Sequence, residues 1–162
     1  MSPRAAARLE ALGFQQVFDY SDGKRDWMTA GLPLEGERSG EPRASDLATT
    51  DVPTCPPHQS VGDARDRSAT EGWRHCVVVD EDRVIHGRLT DDILAEAEAD
   101  QRIEEVMELG PATIRPWASP ASALDRMDDS GIASILVTTE FGELLGWLYR
   151  SDLEARVETE PN

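Results

Sequence analysis

The chain repeats itself, and nothing else in it constrains the fold as strongly. Shifting the 162-residue sequence by 59 positions lays residues 54–94 on 113–153 without a gap. Identical residues meet at Thr54 and Thr113, Pro57 and Pro116, Ser60 and Ser119, Ala64 and Ala123, and Gly72 and Gly131. Asp66-Arg67 falls on Asp125-Arg126, Val78 on Val137, Glu81 on Glu140, Gly87 on Gly146, Leu89 on Leu148 and Leu94 on Leu153. Those are 12 identities in 41 positions, where ordinary residue frequencies give roughly two to four by chance. Such a chain is expected to fold as two copies of one unit, each burying the face the other leaves open.

Each copy reads β-α-β-β-α. A short extended piece comes first, residues 52–57 and 112–117. A helix follows over 60–70 and 119–130, with Ser60 or Ser119 as N-cap and Gly72 or Gly131 closing it. Two strands come next: 76–79 with 84–89, and 135–138 with 144–148. A last helix starts at Asp91 or Ser151. A three-stranded sheet with helices on one face cannot hide both faces alone. The fold class is therefore α/β (α+β), two units in a pseudo-two-fold pair.

The charge excludes some partners. Lys+Arg is 16 and Asp+Glu is 32, a net charge of −16. Nucleic-acid backbones and anionic membranes demand clustered cations, so neither is an expected partner. No apolar run approaches the roughly 18 residues of a membrane span, and residues 1–15 lack a signal-peptide core. Two cysteines are too few for a disulfide scaffold, and a reduced, cytoplasmic compartment fits. Lys24 is the sole lysine, a bias that suits either a high-salt environment or a skewed genome.

The repeat resembles the CBS domain, two of which in tandem form a Bateman module. The residues that carry the likeness are Arg43-Ala44-Ser45-Asp46-Leu47 with Ile103-Glu104-Glu105-Val106-Met107, the apolar strand pairs, and two closing signatures. These are Gly87-Arg88-Leu89-Thr90-Asp91-Asp92-Ile93-Leu94 and Gly146-Trp147-Leu148-Tyr149-Arg150-Ser151-Asp152-Leu153. The family pattern there is Gly-apolar-apolar-Thr/Ser-x-x-Asp-apolar. Residues 44–99 and 103–158 are expected to be the two domains, with 38–43 as a linker.

The resemblance implies a non-catalytic regulatory module that senses an adenosine-type ligand (AMP, ATP or S-adenosylmethionine) between the repeats, or pairs with a partner protein. In the family pattern the Asp accepts hydrogen bonds from ribose hydroxyls, while the Thr/Ser hydroxyl and helix amides hold phosphate. Each copy here keeps half of that pair. The first has Thr90 but Ile93 at the Asp position, with Asp92 one place early and about 100° away on the helix. The second has Asp152 but Tyr149 at the Thr position. The second site is preferred, built on Thr113, Ile114, Tyr149, Arg150 and Asp152, with Arg150 as the nearby cation for phosphate. The resemblance also implies a homodimer through the helices, for which Leu124, Met127 and Leu153 could supply apolar contacts.

Three other features need weighing. Cys55, His58, His75 and Cys76 have a zinc-like count, but adjacent strand residues point to opposite faces. Core cysteines and surface histidines are the expectation, with no metal. His86 has no evident partner. Trp147 is expected to pack in the sheet or at a dimer face.

Residues 1–37 differ. Ser2 and Pro3 suit a helix start, Ala5, Leu9 and Leu12 share one helical face, and Gly13 ends it. Ala5-Ala6-Ala7-Arg8-Leu9, Leu12-Gly13-Phe14, Trp27 and Ala30-Gly31-Leu32-Pro33 resemble the C-terminal third of a rhodanese domain. In that family the persulfide cysteine sits in a loop just ahead of this helix, so a sulfurtransferase would need that loop upstream of Met1. No cysteine precedes Cys55, and the chain as given is not expected to transfer sulfur.

Overall fold

The computed structural model describes residues 8–17, Gly23, Trp27 and 42–157. The chain divides into two compact units, residues 1–39 and 40–162. In the first, residues 8–11 are helical and Gly13 turns the chain with φ +93°. The rhodanese-like positions 5–7 and 30–33 lie outside the described residues.

The second unit holds both repeats. The first contributes β1 (Thr54–Cys55), α2 (Val61–Glu71), β2 (Cys76–Val79), β3 (Ile85–Leu89) and α3 (Asp91–Glu96), preceded by a one-turn helix α1 (Ala44–Leu47). The second contributes β5 (Thr113–Ile114), α5 (Pro120–Ser130), β6 (Ser134–Thr138), β7 (Leu144–Tyr149) and α6 (Arg150–Val157). Ahead of it come α4 (Ile103–Val106) and β4 (Glu108–Leu109). The helix ends follow their caps. The Ser60 hydroxyl accepts from the Asp63 amide at 3.1 Å, and the Ser119 hydroxyl from the Ser122 amide at 3.2 Å. Gly72 and Gly131 close α2 and α5 in the left-handed conformation, φ +77° and +63°.

In each sheet a parallel pair is followed by an antiparallel one, β1-β2-β3 and β5-β6-β7. One face packs on the repeat's own helices. Cys55, Val61, Ala64, Cys76, Val78, Leu89, Leu94 and Ile103 make the first of these cores. The opposite faces meet, joining Val77 and Val79 to Leu136, Leu144 and Trp147. The hairpin tips also pair: the Ile85 amide donates to the Gly142 carbonyl at 3.0 Å, and the Leu144 amide to the Arg83 carbonyl at 2.9 Å. Val84 thereby bridges Glu143, its own counterpart 59 positions on, so the pseudo-two-fold passes between them.

The leading segments are exchanged. Ala44 is buried in the second repeat's core, with Ile114, Ala123 and Met127, and Thr49 bridges Trp147 on β7. In return Ile103 is buried in the first repeat's core, and β4 pairs with β3 through Glu108 and Arg88. The two crossings match residue for residue. The Ala44 amide donates to the Ala118 carbonyl at 2.8 Å, and the Ile103 amide to the Gln59 carbonyl at 3.0 Å.

One expectation is corrected. Met127 and Leu153 are 0% exposed and fill the second repeat's own core, so neither can supply a dimer contact. Sequence periodicity marks the apolar face of a helix without saying which surface it covers. Leu124 is half-buried against the same core.

The exchange explains the signature glycines. A Cβ on Gly87 would stand 2.7 Å from the Glu108 carbonyl oxygen and 2.8 Å from the Met107 sulfur. One on Gly146 would stand 2.9 Å from both the Ala48 Cβ and the Thr49 carbonyl oxygen. Backbone cannot yield as a flexible side chain does. Gly87→Ala and Gly146→Ala are each expected to cost about 1–3 kcal/mol, the range for overpacking a filled site. Urea unfolding of the two variants measures it.

Candidate functional site

A cleft of about 280 Å³ opens where the second repeat's sheet leaves the shared core. Pro111 and Ala112, leading into β5, form one wall, with Ile132 just ahead of β6, Ser134 and Leu136 on it, and Trp147 on β7. Arg88 and Glu108 reach in from the first sheet. Their guanidinium and carboxylate form two parallel bonds, 2.9 and 3.0 Å, which hold the Glu108 carboxyl below its ordinary range. The volume lies at the low end of the roughly 300–1,000 Å³ typical of small-molecule sites.

Thr113, Ile114, Tyr149, Arg150 and Asp152, the residues singled out at the second copy, are not among the residues that line this cleft. Ile114 faces the helix-side core and is buried there. Thr113, half-buried, lines a shallower hollow of about 640 Å³ with Arg115, Trp117, Ser122 and Asp125. Tyr149 stacks on Trp147, ring centroids 5.7 Å apart and planes 12° from parallel. Burial, then the nearby Asp152 carboxylate, push its phenol above the ordinary value. Asp152 itself is exposed in the first turn of α6, where the helix dipole favours a carboxylate. Arg150 is engaged: its guanidinium lies 2.7 Å from Asp128 and 3.6 Å from Glu154, and its backbone amide donates to the Ala133 carbonyl at 2.9 Å.

The first signature is arranged differently. The Thr90 hydroxyl is the N-cap of α3 and accepts from the Ile93 amide at 3.5 Å. Asp92 is exposed, and Asp91 lies 3.6 Å from Arg74. On the face that mirrors the open cleft, the His75 ring meets Trp147 edge-on, with centroids 4.8 Å apart.

Several groups lie where pattern reading did not look. Arg88 and Ser134 line the cleft beside Trp147, and copy-to-copy alignment could have drawn attention to them. His86 does have a partner: its Nε2 is 3.0 Å from the Asp80 carboxylate across the β2–β3 hairpin. Cys55 and Cys76 lie with sulfurs 2.7 Å apart in the first core. That hydrogen bond holds the Cys55 thiol below its ordinary value, and the same bond with burial pushes Cys76 up. His58 is exposed. Among the described residues no three His, Cys, Asp or Glu side chains gather closely enough to hold a metal ion.

Comparison with known proteins locates this architecture. The model of the CBS domain matches residues 44–100 and 103–158. A comparison with curated protein sequences finds no match. Among solved structures, the cytosolic domain of the Mg²⁺ channel MgtE in complex with ATP superposes with a TM-score of 0.66 at 20% identity, over 71% of this chain and 48% of that one. This chain thus spans about half of that protein's length. CBSX2 in complex with AMP gives 0.62 at 17% identity, covering 72% of this chain and 96% of the other. The CBS domain pair of protein MJ0100, in complex with 5'-methylthioadenosine and S-adenosyl-L-methionine, gives 0.60 at 19%, over 72% and 95%. At these identities the likeness establishes the fold. The family match begins at residue 44, so the rhodanese-like character of residues 1–37 stays a sequence resemblance.

The site electrostatics can be checked by absorbance. In a Tyr20→Phe background, Tyr149 is expected to ionise above the ordinary value of 10.0 in a spectral pH titration. Asp152→Asn removes the smaller of the two causes, so the midpoint should fall only part of the way back. An unchanged midpoint in that variant would separate the two side chains.

Proposed function

Because the chain belongs to the CBS domain family, we propose that it is a regulatory, non-catalytic CBS pair that senses an adenosine-type ligand in the second-repeat cleft. The observation that carries this is the opening of about 280 Å³ at that repeat, with its mixed wall of Ala112, Ile132, Ser134 and Leu136. Structural neighbours with the same fold were solved with AMP, ATP, 5'-methylthioadenosine and S-adenosyl-L-methionine. Adenine would pack on the apolar strand residues. Asp152, at the start of α6, would accept hydrogen bonds from the ribose hydroxyls. The Tyr149 hydroxyl, kept protonated by burial, would donate. Thr113 and Ile114 would shape the β5 side, and Arg150 would meet a phosphate by leaving Asp128. Thr90 and Asp92 are the corresponding first-copy residues, where Ile93 removes the ribose acceptor.

The module works in the cytoplasm as a homodimer in this reading, and binding changes how its helices meet a partner. Among the described residues no helix is long and apolar enough to cross a membrane. The sulfurtransferase alternative rests on residues 1–37, and nothing in the described residues favours it.

Calorimetric titration with AMP, ATP and S-adenosylmethionine tests the proposal. Asp152→Ala should weaken binding by about 1.5–3 kcal/mol, the range for hydrogen bonds to a charged group, and Thr90→Val by about 1 kcal/mol or less. Thermal melts of both variants separate lost binding from the lost N-cap at Thr90. ATP should need Mg²⁺ or high salt against a chain of net charge −16, whereas adenosine should not. Equal losses in the two variants would move the working site to the first copy.

A further inference from the structure

The 59-residue offset gives every wall position of the open cleft a counterpart around the first repeat, and comparing the two sets shows where the symmetry breaks. Around the second cleft stand Ala112, Ile132, Ser134, Leu136 and, from the other sheet, Arg88, with Trp147 of the shared core also on its wall. The counterparts are Pro53, Trp73, His75, Val77 and Trp147. Three of the five carry an aromatic ring where the open cleft has a branched aliphatic, a hydroxymethyl or a flexible chain. Two of those changes meet in space, while Trp73 packs on the first repeat's helix-side core and donates to Glu71 at 2.9 Å. The His75 ring lies 4.8 Å from Trp147 at 60°, and Tyr149 stacks on Trp147 at 5.7 Å. Trp147 is 3% exposed and belongs to the core shared by the sheets.

The open cleft stays open for a matching reason. Arg88 is the counterpart of Trp147, and its guanidinium is drawn aside by both oxygens of Glu108. The counterpart of Glu108 is Thr49, which meets Trp147 through backbone alone: the Thr49 amide donates to the Trp147 carbonyl at 2.8 Å, and the Trp147 amide to the Thr49 carbonyl at 2.9 Å. The indole is left to the contact with His75. Ejecting it would strip a desolvated aromatic pair of its packing and return a large apolar surface to water. Ile93 gives an incoming ribose nothing to bind in exchange.

We infer that His75, set edge-on against Trp147, forms an internal plug that closes the first-repeat cleft, so that the chain takes one adenosine-type ligand and takes it in the second cleft. The plug is a property of this chain's own side chains. The stoichiometry rests on the ligand-sensing reading above.

Two measurements test it. The first needs no ligand. In the proton NMR spectrum the His75 ring resonances, assigned with His58→Gln, His75→Gln and His86→Gln, should be displaced by the Trp147 ring current. They should return toward exposed-histidine positions in Trp147→Leu. Undisplaced His75 resonances in the unaltered protein would overturn the plug, whatever binds elsewhere. The second is calorimetry with S-adenosylmethionine and AMP as probes. The unaltered protein should saturate at one probe per chain. Ser134→His, which copies His75 into the open cleft, should weaken binding by about tenfold or more, equivalent to about 1.4 kcal/mol. His75→Ser should leave that affinity unchanged within about twofold. Ile132→Trp, copying Trp73, is the second blocking variant should Ser134→His melt early. Two probes per chain, or loss of binding in His75→Ser with Ser134→His unaffected, would overturn the inference. Displaced His75 resonances with neither probe binding would sink the ligand-sensing reading and leave the plug standing.

Discussion

The structure depends on an exchange: each repeat is completed by the segment that leads into the other. Ala44 closes the core of the second repeat and Ile103 that of the first, with Thr49 and Glu108 laid against the outer strands β7 and β3. Neither repeat can keep its core while separated from the other, so the two should unfold together. The crossing also fixes sequence far away. A strand that receives a foreign backbone at van der Waals distance has no room for a side chain at that point. That is why the same glycine stands in both signatures, at 87 and 146.

The exchange sets the registration of the two sheets, and the registration sets what the clefts can be. With Val84 opposite its own counterpart Glu143, matched residues approach the axis from both sides. Identical residues there would give two identical clefts. Differences at two pairs, Arg88 with Trp147 and His75 with Ser134, are enough to fill one and leave the other open. Symmetry of backbone thus coexists with asymmetry of site, and the cost of the asymmetry is small because it involves side chains alone.

Much of this was legible in the sequence because it is local or repeated. The caps at Ser60, Ser119, Gly72 and Gly131 lie beside the helices they bound, and the strands carry their own alternation. The exchange was not legible. Its helices, α1 and α4, are a single turn each, too short for a hydrophobic period to show. The Asp80–His86 pair was missed because a hairpin brings together residues six apart that no helical or strand spacing relates. Around the candidate site, Asp152 and Tyr149 could be read from a signature, whereas Arg88 comes to the cleft only through the meeting of the two sheets, and Ser134 from the second repeat's own β6. The inward burial of Met127 and Leu153 is of the same kind, since it depends on where the sheet lies.

The arginine bias, which sequence alone divides between salt and genome, has a structural side. Arg65 donates from two nitrogens to the Leu94 and Ala97 carbonyls at 2.7 and 2.9 Å, tying α2 to the end of α3. Arg67 spans the Thr54 carbonyl and Glu71, and Arg115 the Thr138 hydroxyl and Thr139 carbonyl. A forked donor that stays charged can satisfy two separate acceptors with one orientation of the side chain, which the single ammonium of lysine does less well. The same use reaches the cleft. Arg88 is held by Glu108 and Arg150 by Asp128 and Glu154. An anionic ligand must therefore win a guanidinium from a carboxylate, and pays in both the broken pair and the repulsion from the acid left behind. A nucleoside or a sulfonium ligand meets no such competition. In the proposed site, the cations' structural duty would thus tilt binding away from polyphosphate before any contact with the base is made.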